Sequence, residues 1–370
     1  MCRHDLLHFF RNPNPTFFAI PMPDSIVHGT LPDGREVKLF TLRNAHGMCA
    51  KFTEMGACLV SLDVPDSERR IADVTLGYES FEDWRKNPAY LGATVGRFGN
   101  RIRDGHFVLD GQRHQLATNN QPGGMPSHLH GGDIGFDKVV WRGQASGQSV
   151  VFRYSSIDGE EGYPGNLEVE VTYSLNDRNE LIWEARATTD APTIINVVHH
   201  TYWNLTGDPN LSVLDHELLL AADHFLPTDA GLIPTGEKSP VEGTPMDFTK
   251  PRRIGERIHD DFAPLHLAGG YDHCWVLRNL SDMQLAADVR DPVSGRRMEL
   301  LTNQPGLQFY SGNFLDGTIM GKKGILYGHR SGFCLESENF PDSPNQPSFP
   351  SSILRPGELY HHRMIHRFSF

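Results

Sequence analysis

The 370-residue chain is poor in cysteine: Cys2, Cys49, Cys58, Cys274 and Cys334 are odd in number, scattered, and show no C-x-x-C spacing. That argues against a disulfide framework or a zinc ribbon and makes a reducing compartment, the cytoplasm, the expected setting. No apolar run approaches the length of a membrane span, so no membrane partner is expected. The one early apolar patch, Phe17-Phe-Ala-Ile20, is crowded by Pro13, Pro15, Pro21 and Pro23 and forms no signal-peptide core. Positive charge is also scarce: the formal net charge is −12, without the basic stripe that a nucleic-acid partner requires. A G-x-S-x-G elbow, an H-E-x-x-H helix, an internal repeat and a regular strand–helix alternation are all missing. Their absence removes the common serine-hydrolase, zincin, solenoid and parallel α/β readings.

What the chain has instead is a soluble composition, 38% apolar and 22% charged, arranged as strand after strand. Residues 1–24 are expected to be an irregular leader, with Met22 a second candidate first residue. Residues 25–370, which contain no Gly/Ser linker, are expected to form a single domain. Gly34 to Leu42 reads as a strand after a Pro-Asp-Gly turn. His106 to Leu116 reads as a hairpin, because Asp110-Gly111 supplies the positive φ that a two-residue turn demands. Leu167, Val169, Val171, Tyr173 and Leu175 alternate with polar residues, and the pattern resumes at Leu181, Trp183, Ala185 and Ala187 after an Asn-Asp-Arg-Asn turn. That is a meander hairpin with one buried and one wet face. Ser80-Phe-Glu-Asp83 can open a short helix through a capping-box arrangement, and Pro251 to Ile258 can hold a further turn or two. The fold class is therefore all-β and antiparallel, with few short helices.

Four polar clusters at turns or strand ends can carry chemistry. Gly96-Arg-Phe-Gly-Asn-Arg101 looks like a weak phosphate loop but lacks the following helix and the Lys-Ser/Thr pair. Its arginines suit sugar hydroxyls or a carboxylate, or simply solvent. His128-Leu-His130 on a strand would send both imidazoles to one face, as metal-binding cupins do, although a structural histidine is the plainer reading of either. Tandem His199-His200 sends its rings to opposite faces, so at most one enters a given site. In Gly332-Phe-Cys-Leu-Glu-Ser-Glu338, Cys334, Glu336 and Glu338 share a face opposite Phe333 and Leu335. A carboxylate on so apolar a strand is partly desolvated, which raises its pKa and makes it a competent base near neutrality. His200 and Glu336 are the expected acid/base pair. The C-terminal His361, His362 and His366 read as a strand with polar outward faces rather than a ligand set.

Taken in order, these clusters resemble the aldose 1-epimerase (galactose mutarotase) family, over essentially the whole chain from Ser25 to Phe370. The resemblance is carried by Gly96-Arg-Phe-Gly-Asn-Arg101, Leu129-His-Gly-Gly132 with Gly135-Phe-Asp-Lys138, and His200-Thr-Tyr-Trp-Asn-Leu205. It continues through Gly270-Tyr-Asp-His273, Gln308-Phe-Tyr-Ser-Gly-Asn313, Leu335-Glu336 and Pro341-Asp-Ser-Pro-Asn345. It implies a large antiparallel β-sandwich, the galactose mutarotase-like supersandwich, and an isomerase that needs neither metal nor organic cofactor. The implied substrate is a free hexose such as D-glucose or D-galactose, handled by a monomer or homodimer. The implied catalytic residues are Glu336 as base and His200 as acid. His130 is implied as a second histidine near the ring oxygen, Arg101, Asp272 and Gln308 as ligands of sugar hydroxyls, and Asn100 as part of the adjoining loop. Tyr202, Trp203 or Tyr310 would cover the apolar face of the sugar.

The sequence departs from the family pattern at His199, where asparagine is common, at the longer loop Gln121–Ser127, and at Glu338, where an amide is frequent. A second carboxylate at Glu338 would raise the pKa of Glu336. The competing expectations are a hexose 6-phosphate enzyme, a metal enzyme built on His128, His130 and His199 or His200, and a sugar-binding module without chemistry.

Overall fold

The computed structural model describes residues 24–278 and 282–370; the expected leader, apart from Asp24, lies outside the described residues. Three large sheets carry the fold, and every ladder between their strands is antiparallel. The largest has nine strands and is built around the meander read from the sequence, Leu167–Leu175 with Glu180–Thr189, flanked by Ser149–Ser156 and the C-terminal Tyr360–Ser369. A six-stranded sheet contains Tyr202–Trp203, Phe333–Glu338, Gly306–Tyr310 and Asp272–Leu277 as successive neighbours. A five-stranded meander over residues 24–73 completes the set.

One continuous core joins them. Phe52 and Leu59 of the five-stranded sheet and Trp275, Phe309 and Leu335 of the six-stranded sheet share it with Phe152, Tyr173, Trp183 and Met298 of the nine-stranded sheet. This is a sandwich whose inner faces carry alternate residues of each strand. The expected hairpin is present as His106–Leu109 and Gln112–Gln115, with Asp110 at φ 51° and Gly111 at φ 81°. Both turn residues therefore take the left-handed conformation of a two-residue hairpin. The short helix Phe81–Lys86 is capped by Ser80, whose side chain accepts from the Asp83 amide. Pro251–Ile258 delivers only the single 3₁₀ turn Ile254–Glu256, and an unanticipated helix follows at Ala263–Ala268, closed by Gly269 at φ 65°.

The C-terminal histidines differ from expectation. His361 faces outward and meets Glu184 at 2.9 Å, but His362 and His366 are buried in the core between the sheets. His362 is held by Ser337 Oγ and the Val197 carbonyl, and the ring of His366 packs on Trp203 and His199. Imidazole is flat and half apolar, so in its neutral form it packs like a small aromatic.

Burial is the leading cause that lowers His128, His216, His273 and His366 to about 4 and His362 to about 3, with His199 also held well below its usual value. These groups are neutral when folded and gain protons below about 6.5 when unfolded. Through these histidines the unfolded state binds more protons below that pH, so their contribution to stability falls as pH drops from about 6.5 towards 4. The buried carboxyls of Glu336, Glu338 and Asp272, which are raised, act in the opposite sense and offset this in part. Urea unfolding between pH 7.5 and 4.5 is expected to lose on the order of a few kcal/mol over that window. A midpoint that stays flat would contradict this burial of neutral imidazoles.

Candidate active site

The strand Phe333–Glu338 divides its residues between two environments. Phe333 and Leu335 enter the main core, while Cys334 joins a second cluster with Tyr202 and Tyr310. Glu336, on the face of Cys334, reaches the floor of a cavity of about 590 Å³. Its ladder partner is Gln308, and Tyr310 of the same neighbouring strand pairs with Asp272 on the next. Three adjacent strands thus bring Glu336, Gln308 and Asp272 to one surface. A cavity of this size suits a small polar ligand.

His200 comes from a different ladder, Val198–His200 against Ala93–Val95. Alternation works there as expected. His199 turns into the core between Trp183, at a ring distance of 5.8 Å, and His366, at 5.6 Å. His200 turns into the cavity, where its Nε2 lies 3.6 Å from Glu336 Oε2, and its Nδ1 lies 3.8 Å from Cys334 Sγ. Burial lowers His200 to about 4 and pushes Glu336 well above the ordinary carboxyl range, the latter reinforced by Glu338 and then Asp272. A nearby carboxylate alone would favour a charged imidazole, but with both groups desolvated the neutral form of each is favoured. Carboxylic acid with neutral imidazole and carboxylate with imidazolium hold the same one proton and differ only by its transfer across the gap between them.

His130 is not on a strand. The strand ends at Leu129, and His130 takes φ 52°, so the H-x-H expectation of two rings on one face fails. His128 points away, bonded to Tyr163 Oη at 2.6 Å and the Ala117 carbonyl at 2.7 Å. His130 instead turns into the cavity, 5.1 Å from the His200 ring and 4.7 Å from Tyr90. The Asn100 amide N–H donates to its Nδ1 at 3.1 Å. Nδ1 is therefore an acceptor, and the neutral ring carries its proton on Nε2.

The remaining residues form a polar wall. Arg101 donates from Nε to Asn120 at 3.0 Å and lies 3.9 Å from Asp272 Oδ2. Burial raises Asp272, and Arg101 and then Gln308 counteract it. Gln308 Nε2 donates to Asp272 Oδ1 at 2.7 Å, leaving Gln308 Oε1 buried without a protein partner. Asn100 lines the cavity, but its side chain is committed elsewhere, donating to Glu338 and accepting from the Arg101 amide. Of the three aromatic candidates, Tyr202 and Tyr310 line the cavity and Trp203 is fully in the core. Tyr90 and Phe314 also line it and were not anticipated from the sequence. Tyr90 at φ 59° sits in a turn whose only sequence signal is Asn87-Pro88, and Phe314 is a loop residue 61% exposed at the mouth.

Ligand-type atoms of His130, His200 and Glu336 lie within 4.8 Å of one another, the outline of a two-histidine, one-carboxylate metal set. The Asn100 amide decides against it. A metal at His130 Nε2 requires the proton on Nδ1, where it would confront the Asn100 N–H. Protein treated with chelator is therefore expected to keep its full activity, and titration with zinc or iron to give no stoichiometric site. Stoichiometric metal whose removal abolishes activity would overturn this reading.

A family model described as aldose 1-epimerase matches residues 38–367. Galactose mutarotase of Mus musculus is 44% identical over 344 residues, which cover 93% of this chain and 97% of that protein. Aldose 1-epimerase of Escherichia coli (strain K12) is 39% identical over 335 residues, 89% of this chain and 94% of that protein. The crystal structure of galactose 1-epimerase from Lactobacillus acidophilus NCFM superposes with a TM-score of 0.80 at 30% identity, covering 94% of this chain and 98% of that one. The β-sandwich, the order of the pocket's elements along the chain and these likenesses agree: the chain belongs to the aldose 1-epimerase family.

Proposed function

We propose that this protein is an aldose 1-epimerase, an isomerase that interconverts the α- and β-anomers of free hexoses such as D-glucose and D-galactose. The setting proposed is the cytoplasm, with which the free Cys49, Cys58, Cys274 and Cys334 are consistent. The observation that carries the reading is the apposition of Glu336 and His200 in a cavity walled by Arg101, Asp272 and Gln308.

Anomer exchange moves one proton off O1 and one onto O5. In the proposed sequence Glu336 removes the O1 proton, C1–O5 breaks, C1=O1 forms, and O5 takes the proton from His200 Nε2. Rotation about C1–C2 presents the other face of the aldehyde. His200 then recovers the proton from O5 as O5 attacks C1, and Glu336 returns its proton to O1. The reaction is balanced within the pair, and the protein ends as it began. The neutral pair becomes competent by moving one proton from Glu336 to His200, so the cycle needs the pair to hold one proton throughout. Arg101, Asp272 and Gln308 keep the open chain oriented for closure, and the unpartnered Gln308 Oε1 is free to accept from a hydroxyl. Nε2–H of His130 supplies a donor towards the ring oxygen. The matched acid and base favour catalysis over a pure sugar-binding module.

Fresh α-D-glucose or α-D-galactose followed by polarimetry tests this directly. Wild type is expected to outpace buffer, and Glu336→Gln or His200→Asn to lose on the order of 10²–10⁴ in rate. The rate should be bell-shaped in pH, failing at low pH when the pair holds two protons and at high pH when it holds none. A variant Glu336→Gln as fast as wild type would end the assignment. A preference for hexose 6-phosphates in the same assay would redirect its substrate.

A further inference from the structure

Glu338 does not line the cavity, yet it is fully buried, on the same strand face as Glu336 and two residues beyond it. Its two carboxyl oxygens each receive a different amide. Asn100 Nδ2 donates to Oε1 at 3.0 Å and Asn196 Nδ2 donates to Oε2 at 3.4 Å. Asn196 Nδ2 also donates to the Gly99 carbonyl at 3.1 Å and the Asn339 carbonyl at 3.4 Å. Neither asparagine can turn its amide round. Asn100 Oδ1 already accepts from the Arg101 amide at 2.8 Å, and Asn196 Oδ1 accepts from the Asn339 amide at 3.0 Å. In its ionised form Glu338 offers an acceptor at both ends, which a carboxamide in its place would not.

Asn100 is the hub of this arrangement. It stands at φ 61°, a strained position that asparagine tolerates best among residues bearing a side chain, and it reaches three ways. Its amide N–H sets the tautomer of His130, its carbonyl accepts from the His130 amide, and its side-chain oxygen anchors the backbone of Arg101. A loose Asn100 side chain would release the wall residue and the His130 proton position together.

The geometry points to Glu338 as a positioning residue of the epimerase: held between Asn100 and Asn196, it keeps the Asn100–Arg101 segment and His130 against the sugar and places a second carboxyl group behind Glu336. The inference rests on the epimerase reading of the pocket. The charged and titratable groups around Glu338 are Glu336 on its own strand, Asp272 and Cys274 on the strand Asp272–Leu277, Arg101 at the start of the strand Arg101–Arg103, and Tyr360 from the C-terminal strand. Burial raises Glu338 to about 8, opposed first by Asn100 and then Asn196, and after burial Glu338 is the largest cause of the raised Glu336. Two such carboxyls titrate as a pair, and removing one lets the other ionise at lower pH.

Two variants separate positioning from packing. Glu338→Gln keeps the volume, breaks one of the two amide contacts and removes the ionisable carboxyl. It is expected to raise KM, to lower kcat/KM at least tenfold, and to move the acid limb of kcat to lower pH. Glu338→Asp keeps the ionisable carboxyl but is one methylene too short for both amides. It is expected to raise KM while leaving the acid limb where wild type has it. The inference is overturned if Glu338→Gln retains the wild-type KM or acid limb, or if Glu338→Asp moves the limb as far as Glu338→Gln. Should Glu338→Gln fail to fold by circular dichroism, the KM of Glu338→Asp decides: raised supports the inference, unchanged overturns it. The epimerase reading itself fails separately, through an inactive wild type or an active Glu336→Gln.

Discussion

The site depends on one constraint: strand Phe333–Glu338 must be buried on both faces. The odd-numbered residues seal the sandwich core, so the even-numbered ones cannot rotate away, and Glu336 is held in a desolvated cavity. An ionisable group so placed has little water to compensate its charge, and its proton affinity answers to its neighbours. His200 is brought to it by an unrelated ladder, and the two are fixed relative to each other by packing rather than by a strong bond. At 3.6 Å their nitrogen and oxygen stand slightly beyond a good hydrogen bond, a separation compatible with both groups turning towards a ligand.

Around that pair the polar groups are partnered in a way that leaves particular atoms available. Asn100 occupies His130 Nδ1 and so leaves Nε2–H facing the cavity. Asp272 occupies Gln308 Nε2 and so leaves Oε1 without a partner. Arg101 is steadied by Asn120 and by the backbone contact from Asn100. The donors and acceptors left over are arranged before any ligand arrives, which reduces the ordering cost of holding a flexible open-chain sugar. The same tautomer logic distinguishes this trio of His130, His200 and Glu336 from a metal centre of similar outline.

The legible parts of the fold were those governed by period-2 alternation and turn chemistry. The meander at Leu167–Thr189 and the Asp110-Gly111 hairpin needed nothing beyond local rules, and the split of His199 from His200 followed from the same alternation. His130 was misplaced because the strand ends one residue earlier than its flanking pattern implies, and a left-handed residue reverses the direction of the side chain. His362 and His366 were misjudged because histidine counts as polar in a periodicity reading, although the neutral ring is a fit core residue between Trp183 and Trp203.

The sequence by itself determined an all-β antiparallel chain, the strand face that carries Glu336, and, through an ordered set of short motifs, the family. Those properties are local or additive, and each survives without knowledge of what lies opposite. Only the tertiary structure decided that Glu336 meets His200, that Asn100 sets the His130 tautomer, and that Glu338 is clamped by two amides. Asn100 and Glu338 are 238 positions apart, so no local pattern could pair them. Proton positions and pKa values belong to the assembled pocket, because burial and neighbours create them and an isolated strand has neither.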